Sequence, residues 1–194
     1  MSASPQFEAR TRAEWRAWLA ANHAQSSGVW LVTFKQHARP DRDLPYAASV
    51  EEALCFGWVD SRADKVDAER SKLWFTPRKP KSAWSKINKE RIARLAKSGL
   101  MMPAGRHAVA VAKKNGAWRA LDEVEALLLP ADLKQALSAN AKAQTHFTAF
   151  PPSAQKGILQ WIQSAKQAPT RTKRIEETVT LAARNLRANA WPKP

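Results

Sequence analysis

Residues 58–76 alternate between two kinds of side chain, and this period of two most constrains the fold. Small and apolar residues occupy one set of alternate positions, and a polar segment at 67–70 divides the stretch into two halves. Such alternation predicts two β-strands joined as a hairpin, with one buried face. The opposite face is predicted to carry Trp58, Arg62, Lys72 and Trp74. Pro77 and Pro80 then end the ladder, because proline has no N–H to donate.

Four elements are predicted before the hairpin. A capping box, Thr-x-x-Glu, opens a helix over residues 11–23, because its two side chains satisfy amides of the first turn. The segment 29–35 is β-branched and aromatic on both faces, which predicts an interior strand. The Pro- and Asp-rich segment 37–45 is predicted to be a loop, and a second capping box predicts a short helix over 49–57.

The chain after the hairpin is predicted to be helical. Ser82 or Ser85 caps a central helix that Gly99 ends, and Pro103 begins the next helix, over 104–115. Further helical segments are predicted at 121–129, 131–139, 153–166 and 170–189.

These elements together predict an α+β fold. A small antiparallel sheet of about three strands packs with helices, and a helical C-terminal region follows. The predicted regions are 1–120, which contains the basic and Trp-rich motif, and 121–194, and we expect them to pack as one unit.

Positive charge is concentrated in one part of the chain. The net charge is +15, and residues 61–119 contribute +12, with sixteen Lys and Arg against four Asp and Glu. Residues 164–194 contribute a further +5. Basic segments separated by neutral ones are typical of proteins that bind polyanions. The alternative is that the charge serves solubility alone.

Three features bear on location. Cys55 is the single cysteine, so no intramolecular disulfide can form, as is usual in a reducing cytosol. The first residues contain no apolar run after their charges, unlike a secretory signal. No apolar run is long enough to span a bilayer. We therefore expect a cytoplasmic protein without a membrane span.

Three tryptophans stand beside Lys or Arg and are predicted to form a binding surface: Trp58, Trp74 and Trp84. Aromatic faces stack nucleic-acid bases, while neighbouring cations hold the phosphates. In the alternative interpretation, the C-terminal helices cover these rings. Five other tryptophans are predicted to be core residues: Trp15, Trp18, Trp30, Trp118 and Trp161.

The central helix has an apolar arc that two polar residues interrupt. At 100° per residue the arc comprises Trp84, Ile87, Ile92, Leu95 and Ala96. Arg91 and Asn88 fall within it, and a polar group directed at a core is costly unless it is hydrogen-bonded. In one interpretation, Arg91 forms an ion pair with Asp60 or Asp64, and Asn88 hydrogen-bonds a loop carbonyl. In the other, Arg91 and Asn88 both line a pocket between the helix and the hairpin.

No recognised catalytic motif occurs in the sequence. It lacks HExxH, a Gly-rich phosphate loop, G-x-S-x-G and a dinucleotide fingerprint, so no metal and no cofactor is predicted. Cys55 lies among apolar residues, as a core thiol would. Asp60 is the best acid or base available, but nearby cations would lower its pKa below that of a general base. An ion-pair role beside Arg62 or Arg91 fits Asp60 better.

A second cationic cluster begins the last predicted helix. Cations oppose the helix dipole there, so helix stability does not explain Lys166, Arg171, Lys173 and Arg174. With Thr170 they form a candidate phosphate or carboxylate site. Alternatively, the arginines pair with Glu176 and Glu177 or with the acidic residues at 122–125.

The segments ALCFGWVDS, TPRK and SAWSKIN resemble the bacterial YdeI/OmpD-associated family, also called OmdA-like or bacteriocin-protection proteins. WLAANHAQSSGVWL and WIQSAKQAPTRTKRIEETV are similar to its flanking segments. The resemblance implies a cytoplasmic bacterial α+β protein with a helical OmdA-type C-terminal region, and no established reaction. It covers Gly57, Trp58, Asp60, Arg78, Ser82, Trp84, Ser85, Asn88, Trp161, Lys166, Thr170, Arg171 and Arg174.

Three functions stay open at this point. The first is a protein that binds an anionic ligand, foremost nucleic acid. The second is an enzyme or sensor for a small phosphorylated or carboxylated molecule, and the third is an adaptor for an acidic protein partner. The candidate ligand-binding residues are Trp58, Asp60, Arg62, Trp74, Arg78, Lys81, Ser82, Trp84, Ser85, Lys86, Asn88, Arg91, Lys166, Thr170, Arg171 and Arg174, with Asp60 the candidate catalytic residue.

Overall fold

A computed structural model describes residues 5–35 and 44–190, so most of the predicted loop 37–45 lies outside the described residues. The fold is α+β, as predicted. The chain divides into two compact units, Met1–Ala120 and Leu121–Pro194. Within the described part, none of the helices combines the length and the apolarity that a membrane crossing requires.

The first unit contains a mixed sheet in the order β1-β2-β4-β3. Its strands are β1 (Gln6–Glu8), β2 (Val29–Phe34), β3 (Trp58–Lys65) and β4 (Arg70–Pro77). The predicted hairpin is confirmed as β3 and β4, and β2 is interior, as predicted. The expected count of about three antiparallel strands omits β1, which pairs parallel to β2. A strand of three residues is too short for its alternation to be recognised.

A β-bulge changes the predicted faces of the hairpin. Asp60 pairs with Phe75 and Ala63 with Leu73, so β3 holds one extra residue between these two pairs. An extra residue reverses the alternation beyond it. Trp58 and Asp60 therefore share the face of Phe75, which packs against the helices, whereas strict alternation put Trp58 on the opposite side.

Four helices complete the first unit: α1 (Arg12–Asn22), α2 (Tyr46–Cys55), α3 (Lys86–Lys97) and α4 (Pro103–Lys114). The first capping box is confirmed, since Thr11 Oγ1 accepts from the Glu14 N–H at 3.2 Å. The second is wrong: α2 begins at Tyr46, and Ser49 lies inside the helix with its hydroxyl donating to the Tyr46 carbonyl at 2.8 Å.

Glu52 has a structural role instead of a capping one. Its side chain is buried, with the residue 2% exposed. Arg12 Nε lies 2.5 Å from Oε1, and Arg16 Nη1 lies 2.6 Å from Oε2. These bonds join α1 to α2 beside a core that includes Trp15, Leu19 and Leu54. A buried carboxylate is tolerated here because both of its oxygens are paired.

The second unit is wholly helical in its described residues. It contains α5 (Asp122–Glu125), α6 (Ala131–Ser138), α7 (Ala141–Ala149), α8 (Pro152–Gln163) and α9 (Ala168–Ala183). Helix α7 was not predicted, although Asn140 caps it by accepting from the Ala143 N–H at 3.0 Å. Apolar side chains of these helices form one core, including Leu133, Leu137, Phe147, Ile158 and Ile162.

Candidate functional site

Two indoles and two cations form one surface of the sheet, the cationic indole face: Trp30, Trp74, Arg62 and Lys72. Trp30 on β2 pairs directly with Trp74 on β4, and their ring centroids lie 5.3 Å apart. Arg62 Cζ lies 5.5 and 5.9 Å from the two centroids, and Lys72 Nζ lies 4.7 Å from that of Trp30. Both indoles are half-buried and Arg62 is exposed, so part of each ring stays accessible.

Register and packing explain why these residues meet. Directly opposed residues in an antiparallel pair point to the same face, which places Trp30 beside Trp74. The Trp74 indole lies over Gly28, where an added Cβ would be 2.5 Å from the ring. Lys72 also pairs with Asp64, with Nζ 3.4 Å from Oδ2. Trp30 was predicted to be a core residue, because β2 is apolar on both faces and its partner strand was not known.

Trp58 and Trp84 lie in the core of the first unit, each 1% exposed. Trp58 donates its indole N–H to the His23 carbonyl at 3.2 Å. Trp84 packs against Trp118, with ring centroids 5.1 Å apart. This corrects the expectation that both rings offer open stacking surfaces. Of the three tryptophans predicted to form a binding surface, Trp74 is half-buried and the other two are in the core.

The two polar residues within the apolar arc of α3 bind each other. Arg91 Nη1 donates to Asn88 Oδ1 at 2.9 Å, and both residues are half-buried. Ser85 caps the helix by accepting from the Asn88 N–H at 3.4 Å. Ile87 is 60% exposed, so the buried arc is narrower than predicted. Three further residues predicted to bind a ligand lie near this helix. Lys81 and Lys86 are exposed, and Ser82 is half-buried.

Asp60 faces the helices and accepts a hydrogen bond from a tyrosine. Tyr46 Oη lies 2.9 Å from Asp60 Oδ2. Desolvation, followed by the Asp60 hydrogen bond and charge, raises the pKa of Tyr46. The predicted pairing of Asp60 with Arg62 is not made, because the bulge separates the two faces. Tyr46 was not predicted as a site residue because it adjoins the segment that was assigned to a loop.

Arg78 is the most unusual of the predicted residues. Its guanidinium carbon lies 3.8 Å from the Trp84 ring centroid, and its Nη2 donates to the Ala83 carbonyl. Nε and Nη1 are buried and have no hydrogen-bond partner among the described residues. Burial lowers the pKa of Arg78 to about 10, against the opposing influence of the Asp60 charge. The group therefore keeps its charge at neutral pH.

Cys55 is a core thiol, and we expect it to be unreactive in the native protein. Its side chain is fully buried. Burial, and then the charge of Glu52, raises the pKa of the thiol, which disfavours the nucleophilic thiolate. Ellman's reagent should react at least about 100-fold more slowly with native protein than with protein in concentrated urea. Equal rates in the two conditions would show that Cys55 is accessible.

The C-terminal arginines have structural partners. Arg171 contacts Asp132 with Nε–Oδ2 and Nη2–Oδ1 distances of 2.6 and 2.9 Å. This hydrogen bond lowers the pKa of Asp132, so the pair persists until the pH falls below the usual carboxyl range. Arg174 donates to the Trp161 carbonyl and lies 5.0 Å from that ring centroid. Arg171 therefore pairs with Asp132, and not with Glu176, Glu177 or the acidic residues at 122–125 as predicted.

Two of the predicted ligand-binding residues remain to be placed. Lys166 and Thr170 are exposed near the start of α9. Among the residues that the structure describes, no group of three or more His, Cys, Asp or Glu side chains could hold a metal ion.

Two protein families match different parts of the chain. A domain of unknown function, DUF8412, matches residues 7–108, slightly more than half of the chain. The family described as Bacteriocin-protection, YdeI or OmpD-Associated (OmdA) matches residues 126–185. The motif ALCFGWVDS lies in the first match, and WIQSAKQAPTRTKRIEETV lies in the second. Comparison with curated proteins and with solved structures gave no match.

Proposed function

This chain belongs to the DUF8412 family and carries the OmdA region of the bacteriocin-protection, YdeI or OmpD-associated family, and we propose that it serves bacteriocin protection by binding single-stranded nucleic acid in the cytoplasm. The family description supports the protective role. The cationic indole face supports the nucleic acid as ligand.

Adjacent indoles with cations above them suit unpaired bases. Each base stacked on an aromatic ring contributes about 1–3 kcal/mol to binding, whichever base it is. Trp30 and Trp74 meet at 60°, so their accessible surfaces point in different directions and favour bases that are splayed apart. Bases inside a duplex stack on each other and cannot reach such rings without unpairing. The face therefore favours a single strand over a duplex.

Electrostatics support the same ligand. Arg62 and Lys72 lie over the rings, so a base that stacks there displaces them towards the phosphates on either side of it. Both belong to the segment 61–119, whose net charge is +12. Release of counterions from the strand would make the affinity fall steeply with salt concentration.

Fluorescence anisotropy with a labelled dT12 oligonucleotide tests the proposal. We expect Trp74→Ala and Trp30→Ala each to weaken binding by about 10-fold, corresponding to one lost stacking contact. Arg62→Gln should reduce the slope of log affinity against log salt by about 1. Trp161→Ala is the matched control, because it removes a half-buried indole beside an arginine in the second unit.

The result that would contradict the proposal is equally specific. Circular dichroism first establishes that each variant is folded. If the double variant Trp30→Ala/Trp74→Ala binds dT12 as tightly as the wild type, the face does not bind nucleic acid. If Trp161→Ala weakens binding as much as Trp74→Ala, the effect is not specific to this face. Survival of bacteriocin-treated cells that express wild-type protein or Trp74→Ala then tests the link to protection.

A further inference from the structure

A small cavity lies beside Arg78, away from the cationic indole face. Arg78 follows β4, and its backbone N–H donates to the Gly57 carbonyl at 2.9 Å. The cavity has a volume of about 120 Å³. Its lining residues are Arg78, Lys79, Pro80, Trp84, His107, Ala108 and Val111. All of them belong to the first unit, and the last three come from α4.

The guanidinium at this cavity lacks the partners that a buried arginine normally has. Arg78 stacks on Trp84, and only Nη2 has a hydrogen bond, to the Ala83 carbonyl, among the described residues. Nε and Nη1 are buried without an acceptor. Buried charges in proteins are almost always paired, because leaving one without a partner after removing it from water is strongly unfavourable. An arginine kept only for packing would be expected to have a carboxylate or carbonyl at these atoms.

The walls indicate what kind of acceptor fits. Pro80, Ala108 and Val111 are apolar and Trp84 contributes an aromatic ring, whereas Arg78, Lys79 and His107 bring cationic and polar groups to this hydrocarbon surface. A carboxylate accepts charge-assisted hydrogen bonds from guanidinium N–H groups and carries a single negative charge. A phosphate has no apolar part to contact the walls formed by Pro80, Ala108 and Val111. We infer that the cavity binds a small aliphatic carboxylate whose head group lies beside Arg78, and that the guanidinium turns from its buried position so that Nε and Nη1 donate to it.

This second site is independent of nucleic-acid binding. Its residues differ from the four that form the cationic indole face. The two sites can be substituted separately, so failure of one proposal leaves the other intact. Arg78→Met removes the buried charge and keeps an unbranched apolar side chain over Trp84.

Sodium butyrate is the test ligand, with butyramide as its uncharged counterpart and inorganic phosphate as the competing oxyanion. At constant ionic strength, butyrate at ten times its dissociation constant should raise the Tm of the full-length protein by about 3 °C. Neither butyramide nor phosphate should produce this rise. In Arg78→Met the butyrate effect should disappear, whereas Lys114→Met, which removes an exposed cation of α4, should retain it.

Nuclear magnetic resonance gives a second, direct readout on the wild type. The Arg78 Nε–H signal should shift saturably with butyrate and remain unchanged with butyramide, even if Arg78→Met does not fold. An equal Tm rise in Arg78→Met, an equal response to butyramide, or a response to phosphate alone would overturn the assignment. An Nε–H signal that butyrate leaves unmoved would overturn it as well.

Discussion

Replacing Gly105 with alanine should destabilise the first unit by about 3 kcal/mol, because the cost of overpacking is high where backbone cannot yield. A Cβ at this position would lie 2.2 Å from the Cys55 carbonyl oxygen and 2.7 Å from the Leu54 oxygen. Both contacts are with backbone at the end of α2, so α4 would have to move away from that helix. Urea unfolding followed by tryptophan fluorescence measures the loss.

The same substitution at Gly157 is the matched control and should have the opposite sign. Gly157 lies inside α8, and an added Cβ there meets nothing within 4 Å. Alanine in an exposed helix interior is more stable than glycine by about 0.5–1 kcal/mol. If Gly105→Ala also increases the free energy of unfolding, the close approach of α4 to α2 is wrong.

Replacing Glu52 with alanine should cost about 3 kcal/mol, near the lower end of the range for breaking a buried pair. The Glu52 side chain is 3% exposed and forms ion pairs with both Arg12 and Arg16, so the substitution removes both ion pairs at once. The loss stays at the lower end because the arginine side chains are 41% and 31% exposed, which allows water to solvate them again. Urea unfolding of the full chain measures this value.

Glu51, the neighbouring acid on α2, provides the comparison. It pairs with Arg12 and Arg94, but its side chain is 18% exposed and Arg94 is 63% exposed. Ion pairs near the surface contribute little, so Glu51→Ala should cost less than about 1 kcal/mol. Equal losses in the two variants would mean that burial does not distinguish the two carboxylates.

The sequence predicted elements whose signals are local. The hairpin, the interior strand β2 and the cap at Thr11 were found because alternation and capping depend on neighbours within a few residues. Strand β1 and helix α7 were missed because one is three residues long and the other has a weak apolar pattern. The capping box predicted at Ser49 was wrong because the same Ser-x-x-Glu pattern also occurs within a helix, as it does here in α2.

The site was harder to predict because its members are far apart in the chain. The sequence placed Arg62 and Trp74 on one face of the hairpin, whereas the position of Trp30 beside them follows from the cross-strand register. Trp58 was placed on the wrong face, because a bulge between Asp60 and Ala63 leaves no clear signal in the residue pattern. Each of these facts depends on which residues oppose one another across strands.

Composition and short-range periodicity thus established the fold class, the basic segment and the presence of aromatic rings among its cations. They did so because charge and local backbone preference belong to individual residues and their near neighbours. Which rings are accessible, and which guanidinium has two buried N–H groups without an acceptor, depended on the tertiary packing. Burial and pairing are set by residues distant in sequence. For that reason no local pattern could indicate that Trp30 is only half-buried or that Trp84 lies in the core.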